Sequence, residues 1–142
     1  MPTTAQNRSK NQLLPLPSDL PRAASQAASA GQPLVLMVSL PGCPWCELLR
    51  RNYFSAMREG GLPVFEFMVN DRQTRLQDFQ GQRSTPEALS RLLKIHITPT
   101  ILFFNTQGQE IAPRIEGVAS ADFIGAVIDE RLDTARLRLK KP

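Results

Sequence analysis

The apolar run Leu34-Val35-Leu36-Met37-Val38-Ser39-Leu40 narrows the possible folds more than any other stretch of this chain. A strand with one wet face alternates apolar and polar residues, whereas a short run without alternation marks a strand covered on both faces and central in its sheet. The run ends at Pro41-Gly42-Cys43. Beyond it Leu49, Tyr53 and Met57 recur at intervals of four, with Leu48 beside them, until Gly60-Gly61 stops the pattern. That spacing predicts a helix with one apolar face, so Cys43 and Cys46 open a helix directly after a buried strand. Leu62 to Asn70 reads as a second strand, and a strand–helix–strand of this length is normally a right-handed parallel crossover.

The flanking elements follow from punctuation. Ser18-Asp19 caps a short helix that Gly31 closes. Asp71 to Arg83 is polar with only Leu76 and Phe79 as large apolar residues, which reads as a loop insertion, either functional or merely tolerated at the surface. Ser84-Thr85-Pro86-Glu87 then starts a short helix through Leu89, Leu92 and Leu93. Two starts fit: Ser84 as cap with Glu87 at the third helical position, or Thr85 as cap with Pro86 at the first. After Ile95-His96-Ile97-Thr98-Pro99 comes a strand, Thr100 to Asn105. The turn Thr106-Gln107-Gly108-Gln109 leads into an antiparallel partner over Glu110 to Val118. Ser120 caps a last helix with Phe123, Ile124, Val127, Ile128 and Leu132 on one face. Residues 1–17, polar and bearing Pro2, Pro15 and Pro17, read as a flexible arm; residues 18–138 form one domain, and residues 139–142 a basic tail.

Composition removes several function classes. A chain of 142 residues has room for one ordinary domain, and no apolar run approaches membrane-span length. Lys and Arg exceed Asp and Glu by 17 to 13, but the one basic concentration, Arg131, Arg136, Arg138, Lys140 and Lys141, lies at the end of a predicted helix, where the dipole favours cations. With aromatics at 6% and no aromatic-and-basic stretch, nucleic acid is not an expected partner. No secretory signal pattern is visible over residues 1–17, so the chain is cytoplasmic or its signal was removed.

The two cysteines, Cys43 and Cys46, are too close in sequence to constrain much unfolded-chain entropy as a disulfide, so chemistry is the better reason for the pair. The thiolate is the attacking species, and a helix N-terminus stabilises it through unpaired N–H groups and the positive dipole end. Pro44 suits the first helical position, where its missing N–H costs nothing. Cys43 is therefore the nucleophile by position, and Cys46, one turn on, the more buried partner that resolves a mixed disulfide. The competing reading is zinc, which needs four ligands; Cys43, Cys46, His96 and a carboxylate would have to supply them, and no metal is expected. His96, a lone histidine between two isoleucines, is left outside the site.

The order helix, strand, Cys-x-x-Cys helix, strand, helix, Thr-Pro, hairpin, helix resembles the thioredoxin superfamily over roughly residues 18 to 135. The resemblance is carried by Gly42-Cys43-Pro44-Trp45-Cys46, by Thr98-Pro99-Thr100 opening an apolar strand, and by Gly108 turning a hairpin before Glu116-Gly117. It implies an α/β thioredoxin fold: a central mixed sheet of about four strands flanked by helices. It also implies a cis-proline at Pro99 facing the cysteines, with the Thr98 backbone free to pair with an extended substrate; a trans-proline starting an edge strand is the alternative. Trp45 is either an exposed platform for substrates, the favoured reading, or a ring shielding the helix start. Family thioredoxins carry a buried acid six residues ahead of the first cysteine, where this chain has Met37, so either a proton acceptor for Cys46 comes from elsewhere, Glu47 or a water, or resolution is slower than in a general cytosolic reductase. The Pro-Trp dipeptide is closer to glutaredoxins and periplasmic oxidoreductases than to thioredoxin's Gly-Pro, without a glutathione-binding pattern.

The resemblance thus implies a thiol–disulfide oxidoreductase of the bacterial periplasmic type, more in the sense of a protein-disulfide reductase than an oxidant. It would need no cofactor beyond the Cys43–Cys46 disulfide, and it would exchange with protein disulfide substrates and an unidentified redox partner protein. A non-catalytic adaptor or chaperone on the same fold, binding through Trp45 and Thr98, is the alternative from another class.

Overall fold

A computed structural model describes residues 14–140. The first thirteen residues of the expected arm and the last two of the basic tail lie outside the described residues.

Four strands form one mixed sheet: β1 (Leu34–Ser39), β2 (Val64–Met68), β5 (Thr100–Phe104) and β6 (Ile115–Glu116), in the order β2-β1-β5-β6. β1 runs parallel to β2 and antiparallel to β5, and β6 is antiparallel to β5. All six residues of β1 are buried, as an unalternating run requires. Val35 and Met37 enter a core with Leu49, Phe54, Ile128 and Leu132 on one face of the sheet. Leu34, Leu36 and Val38 enter a second core with Leu20, Ala24 and Leu89 on the other. The helices divide accordingly. α1 (Leu20–Ser29), capped by the Asp19 carboxylate on the N–H of Arg22, shares the second core with α4 (Pro86–Leu92). The first core is shared by α2 (Pro44–Leu49), its continuation and α5 (Ile124–Leu139). The continuation is a π-helical turn, Arg50–Phe54, leading into α3 (Ser55–Glu59), and Gly60 and Gly61 end the run.

Five local expectations are resolved or corrected. The packed domain begins before Ser18: Leu14 is buried in the first core, and the Pro15 carbonyl accepts the N–H of Glu66, so this stretch covers the outer edge of β2. The segment read as a loop insertion contains a small hairpin, β3 (Leu76–Gln77) against β4 (Arg83–Ser84). Asp71 and Asp78 each tie a tight turn by accepting two backbone N–H groups, while Leu76 is buried and Phe79 packs on Phe104 with ring centroids 5.1 Å apart. Of the two starts for α4, Thr85 is the cap, taking the N–H of Ala88 on its hydroxyl with Pro86 in the first turn.

The strand expected over Glu110 to Val118 is reduced to β6 plus one bridge between Glu110 and Phe104, because Pro113 has no N–H to give the ladder. Ser120 does not cap α5 directly. Its hydroxyl takes the N–H of Asp122 and its carbonyl that of Ile124, forming a separate turn, after which the helix starts at Ile124. That turn leaves Phe123 68% exposed, off the apolar face it was expected to share.

Candidate active site

β1 delivers the chain through Leu40-Pro41-Gly42 to Cys43, and Gly42 makes the corner with φ of +78°, a conformation open to glycine at little steric cost. Cys43 is the N-cap of α2 with extended backbone, φ −82° and ψ 111°, and its sulfur accepts the N–H of Cys46 at 3.2 Å. A cap position normally filled by Ser, Thr, Asp or Asn is thus held by sulfur, which receives one of the four N–H groups a helix start leaves unpaired. Pro44 occupies the first turn. Cys43 and Cys46 are joined in a disulfide with their Cα atoms 5.3 Å apart. Their environments differ: Cys43 is half-buried, while Cys46 is 1% exposed.

From the other side of the site comes the segment before β5. The Thr98–Pro99 peptide bond is cis, Pro99 is buried, and its carbonyl accepts the N–H of Gly117 at 2.8 Å, tying the turn to the end of β6. The Thr98 hydroxyl lies 3.8 Å from the Cys43 sulfur, a contact long enough to be weak but short enough to bring the two segments together. Trp45, Leu40 and Ile97 are 43%, 40% and 49% exposed, so each of the three chain segments that meet at Cys43 presents a large apolar side chain to solvent. The residues singled out in the sequence, Cys43, Pro44, Trp45, Cys46, Thr98 and Pro99, are therefore gathered in one place. Glu47 and His96 are exposed. Among the described residues no group of three His, Cys, Asp or Glu side chains stands where it could hold a metal ion, and no helix is long and apolar enough to cross a membrane.

Sequence reasoning missed a buried ion pair beside this site. Glu66, in the middle of β2 and 2% exposed, receives two hydrogen bonds from the Arg50 guanidinium, Nε to Oε1 at 3.0 Å and Nη2 to Oε2 at 2.6 Å. The Ser39 hydroxyl adds a third, to Oε2 at 2.7 Å. Ser39 is the last residue of β1, and Arg50 begins the π-helical turn, its backbone N–H bonded to the carbonyl of Cys46. A signal was present in the sequence: a carboxylate inside the apolar run Leu-Pro-Val-Phe-Glu-Phe-Met-Val, and a cation four residues after Cys46 on the face that must be buried. Single π turns inside α-helices occur frequently at functional sites.

The comparisons with known proteins agree with this architecture. Residues 20–131 match the model of the thioredoxin-like domain family. No curated protein matches the chain. Among solved structures, one titled DsbH oxidoreductase is 16% identical with a TM-score of 0.56, covering 89% of this chain and 88% of that one. Thioredoxin f2 of Chlamydomonas reinhardtii is 16% identical with a TM-score of 0.52 (82% and 94% covered), and a thioredoxin h of poplar is 20% identical with a TM-score of 0.52 (79% and 86%). At such identities the likeness concerns the fold alone. With a family match over most of its length and a disulfide-forming Cys-x-x-Cys pair at the start of its second helix, this chain belongs to the thioredoxin-like domain family.

Proposed function

We propose that this protein is a thiol–disulfide oxidoreductase that reduces disulfides of other proteins through Cys43 and Cys46. The observation that carries the reading is the asymmetry of the pair: a half-buried sulfur at a helix N-cap, bonded to a fully buried sulfur one turn away. In the reduced protein the Cys43 thiolate, favoured by the helix N-terminus, attacks one sulfur of a substrate disulfide. The substrate's other sulfur leaves as a thiolate and takes up a proton, and Cys43 is held in a mixed disulfide. Cys46 then attacks the Cys43 sulfur, its proton passing to the substrate sulfur that leaves, so the substrate departs as a dithiol and the Cys43–Cys46 disulfide re-forms. Two electrons pass to the substrate, and a redox partner protein must return them. Trp45 supplies an apolar contact for the substrate, and the Thr98 backbone a place for an extended segment to pair.

The test is a titration of the purified protein in dithiothreitol and glutathione buffers, read by the fluorescence of Trp45, the chain's single tryptophan and a neighbour of both sulfurs. A reversible two-electron transition below about −220 mV is expected for a reductase; one nearer −120 mV would make the protein an oxidant and overturn the direction. Cys43→Ser is expected to abolish exchange. Retained partner binding with no cycling in the parent protein would instead establish a non-catalytic adaptor.

A further inference from the structure

The Arg50–Glu66 pair is fastened to both chain segments that flank the cysteines. Ser39 ties Glu66 to the end of β1, just before the turn to Cys43, and Arg50 ties it to the helix one turn after Cys46. The strand register adds a further coordinate: Glu66 lies directly beside Met37, on the sheet face that the Cys46 helix covers. Glu66 and Arg50 are the only charged residues buried among those described. Replacing a buried ion pair by apolar residues of similar volume is often neutral or stabilising, so stability alone gives little reason to keep one here.

We propose that Glu66 and Arg50 are positioning residues of the redox pair: their charges act in opposite senses on the balance between its disulfide and dithiol forms, and each holds the other's effect in check. This rests on the functional reading above. The half-reaction is balanced: the Cys43–Cys46 disulfide takes two electrons and two protons to give two thiols. Where one of these is a thiolate, as the functional reading requires of Cys43, the reduced centre carries negative charge that the oxidised centre lacks. Arg50 favours that charge and Glu66 opposes it. A charge left without its partner in the interior acts through a low effective dielectric, so removing either one leaves the other uncompensated beside the redox helix, while the two together largely offset.

The measurement is the equilibrium of the full chain with glutathione, in which the protein disulfide and two glutathione thiols give the protein dithiol and one glutathione disulfide. Folding of each variant is checked by circular dichroism. Glu66→Gln, which keeps the side chain's shape and removes its charge, is expected to shift the equilibrium toward the dithiol by about tenfold, or about 30 mV. Arg50→Met is expected to shift it toward the disulfide by a similar factor, and the double variant Arg50→Met, Glu66→Met to return within threefold of the parent. Should Arg50→Met not fold, Arg50→Lys replaces it; with the charge kept, it must stay within threefold of the parent.

Shifts of the same sign from both charge-removing variants, a shift for Arg50→Lys as large as that for Glu66→Gln, or no shift beyond threefold in a folded Glu66→Gln protein would each overturn the proposal. A parent protein that cycles while its variants do not move refutes this inference alone. A parent that does not cycle refutes the functional reading and this one with it.

Discussion

Asp71 holds the turn after β2 with charge. Its carboxylate accepts the Thr74 hydroxyl at 2.6 Å and the backbone N–H groups of Thr74 and Gln73 at 3.0 and 2.9 Å. These bonds, the Thr74 hydroxyl first, hold its carboxyl below the ordinary range against an opposing effect of burial. A carboxyl lowered in the folded state adds stability that is complete above its unfolded value, near 3.9, and is lost as pH falls through the folded value. Asp71→Asn is therefore expected to be less stable than the parent at pH 7 by a fraction of a kcal/mol, since the site is partly open to solvent. The gap should close below about pH 4. Urea unfolding of both proteins from pH 7 to pH 3 checks this, and a gap that stays constant with pH would refute it.

At this scale the sequence was legible where a residue acts through its own backbone position. Cys43 at a helix start, Pro44 after it and Gly42 before it all follow from local stereochemistry. Ser84 against Thr85 was undecidable, because both satisfy a capping pattern; in the folded chain Ser84 pairs with Leu76 in the β3–β4 ladder and Thr85 takes the cap. Glu66 escaped because its role depends on Arg50 and Ser39, which lie on two other elements, and nothing in the local pattern joins them.

Elements were legible where one apolar run or period decides the outcome, as for β1 and for the helical run from Pro44 to Glu59, whose π-helical turn leaves no trace in the spacing, and less so where side chains fold the backbone back on itself. The β3–β4 hairpin is the clearest case. Asp71 ties the turn that leads into it, Asp78 builds the turn between its strands, Gly81 closes that turn with φ of +79°, and Phe79 anchors it over the β5 end of the sheet. Gly108, in the turn after β5, also has φ of +79°, and a Cβ there would fall 2.5 Å from Cγ of Phe79, whereas a Cβ on Gly81 meets nothing within 4 Å.

The two glycines thus separate backbone strain from crowding. Gly81→Ala is expected to cost about 1 kcal/mol from its left-handed conformation alone. Gly108→Ala should cost about 1–3 kcal/mol more, because Phe79 must leave its place against Phe104. Equal costs in urea unfolding would show that the hairpin yields freely and that Phe79 does not anchor it. The shortened β6 and the displaced start of α5 share another cause. Pro113 and the Ser120 turn interrupt patterns whose apolar residues read as continuous, and periodicity does not register a missing N–H.

For the whole molecule, the redox state of two sulfurs and the stability of the fold are linked by a closed cycle. The oxidised and reduced proteins each unfold to a chain with the corresponding cysteine state. The difference between their unfolding free energies therefore equals the difference between the folded and unfolded exchange equilibria with glutathione. In the unfolded chain residue 66 lies far from Cys46 and is solvated, so Glu66→Gln leaves the unfolded equilibrium unchanged. If that substitution moves the folded equilibrium tenfold toward the dithiol, the oxidised form must lose about 1.4 kcal/mol of stability relative to the reduced form. Arg50→Met must change the same difference in the opposite sense. Urea unfolding of parent and variants, with and without dithiothreitol, measures this independently of any fluorescence change at Trp45. A redox shift without a matching change in relative stability would place its origin in the unfolded chain and remove the buried pair as its cause. A matching change would show that β2 and the Cys46 helix, joined through Arg50 and Glu66, transmit the state of the sulfurs into the core.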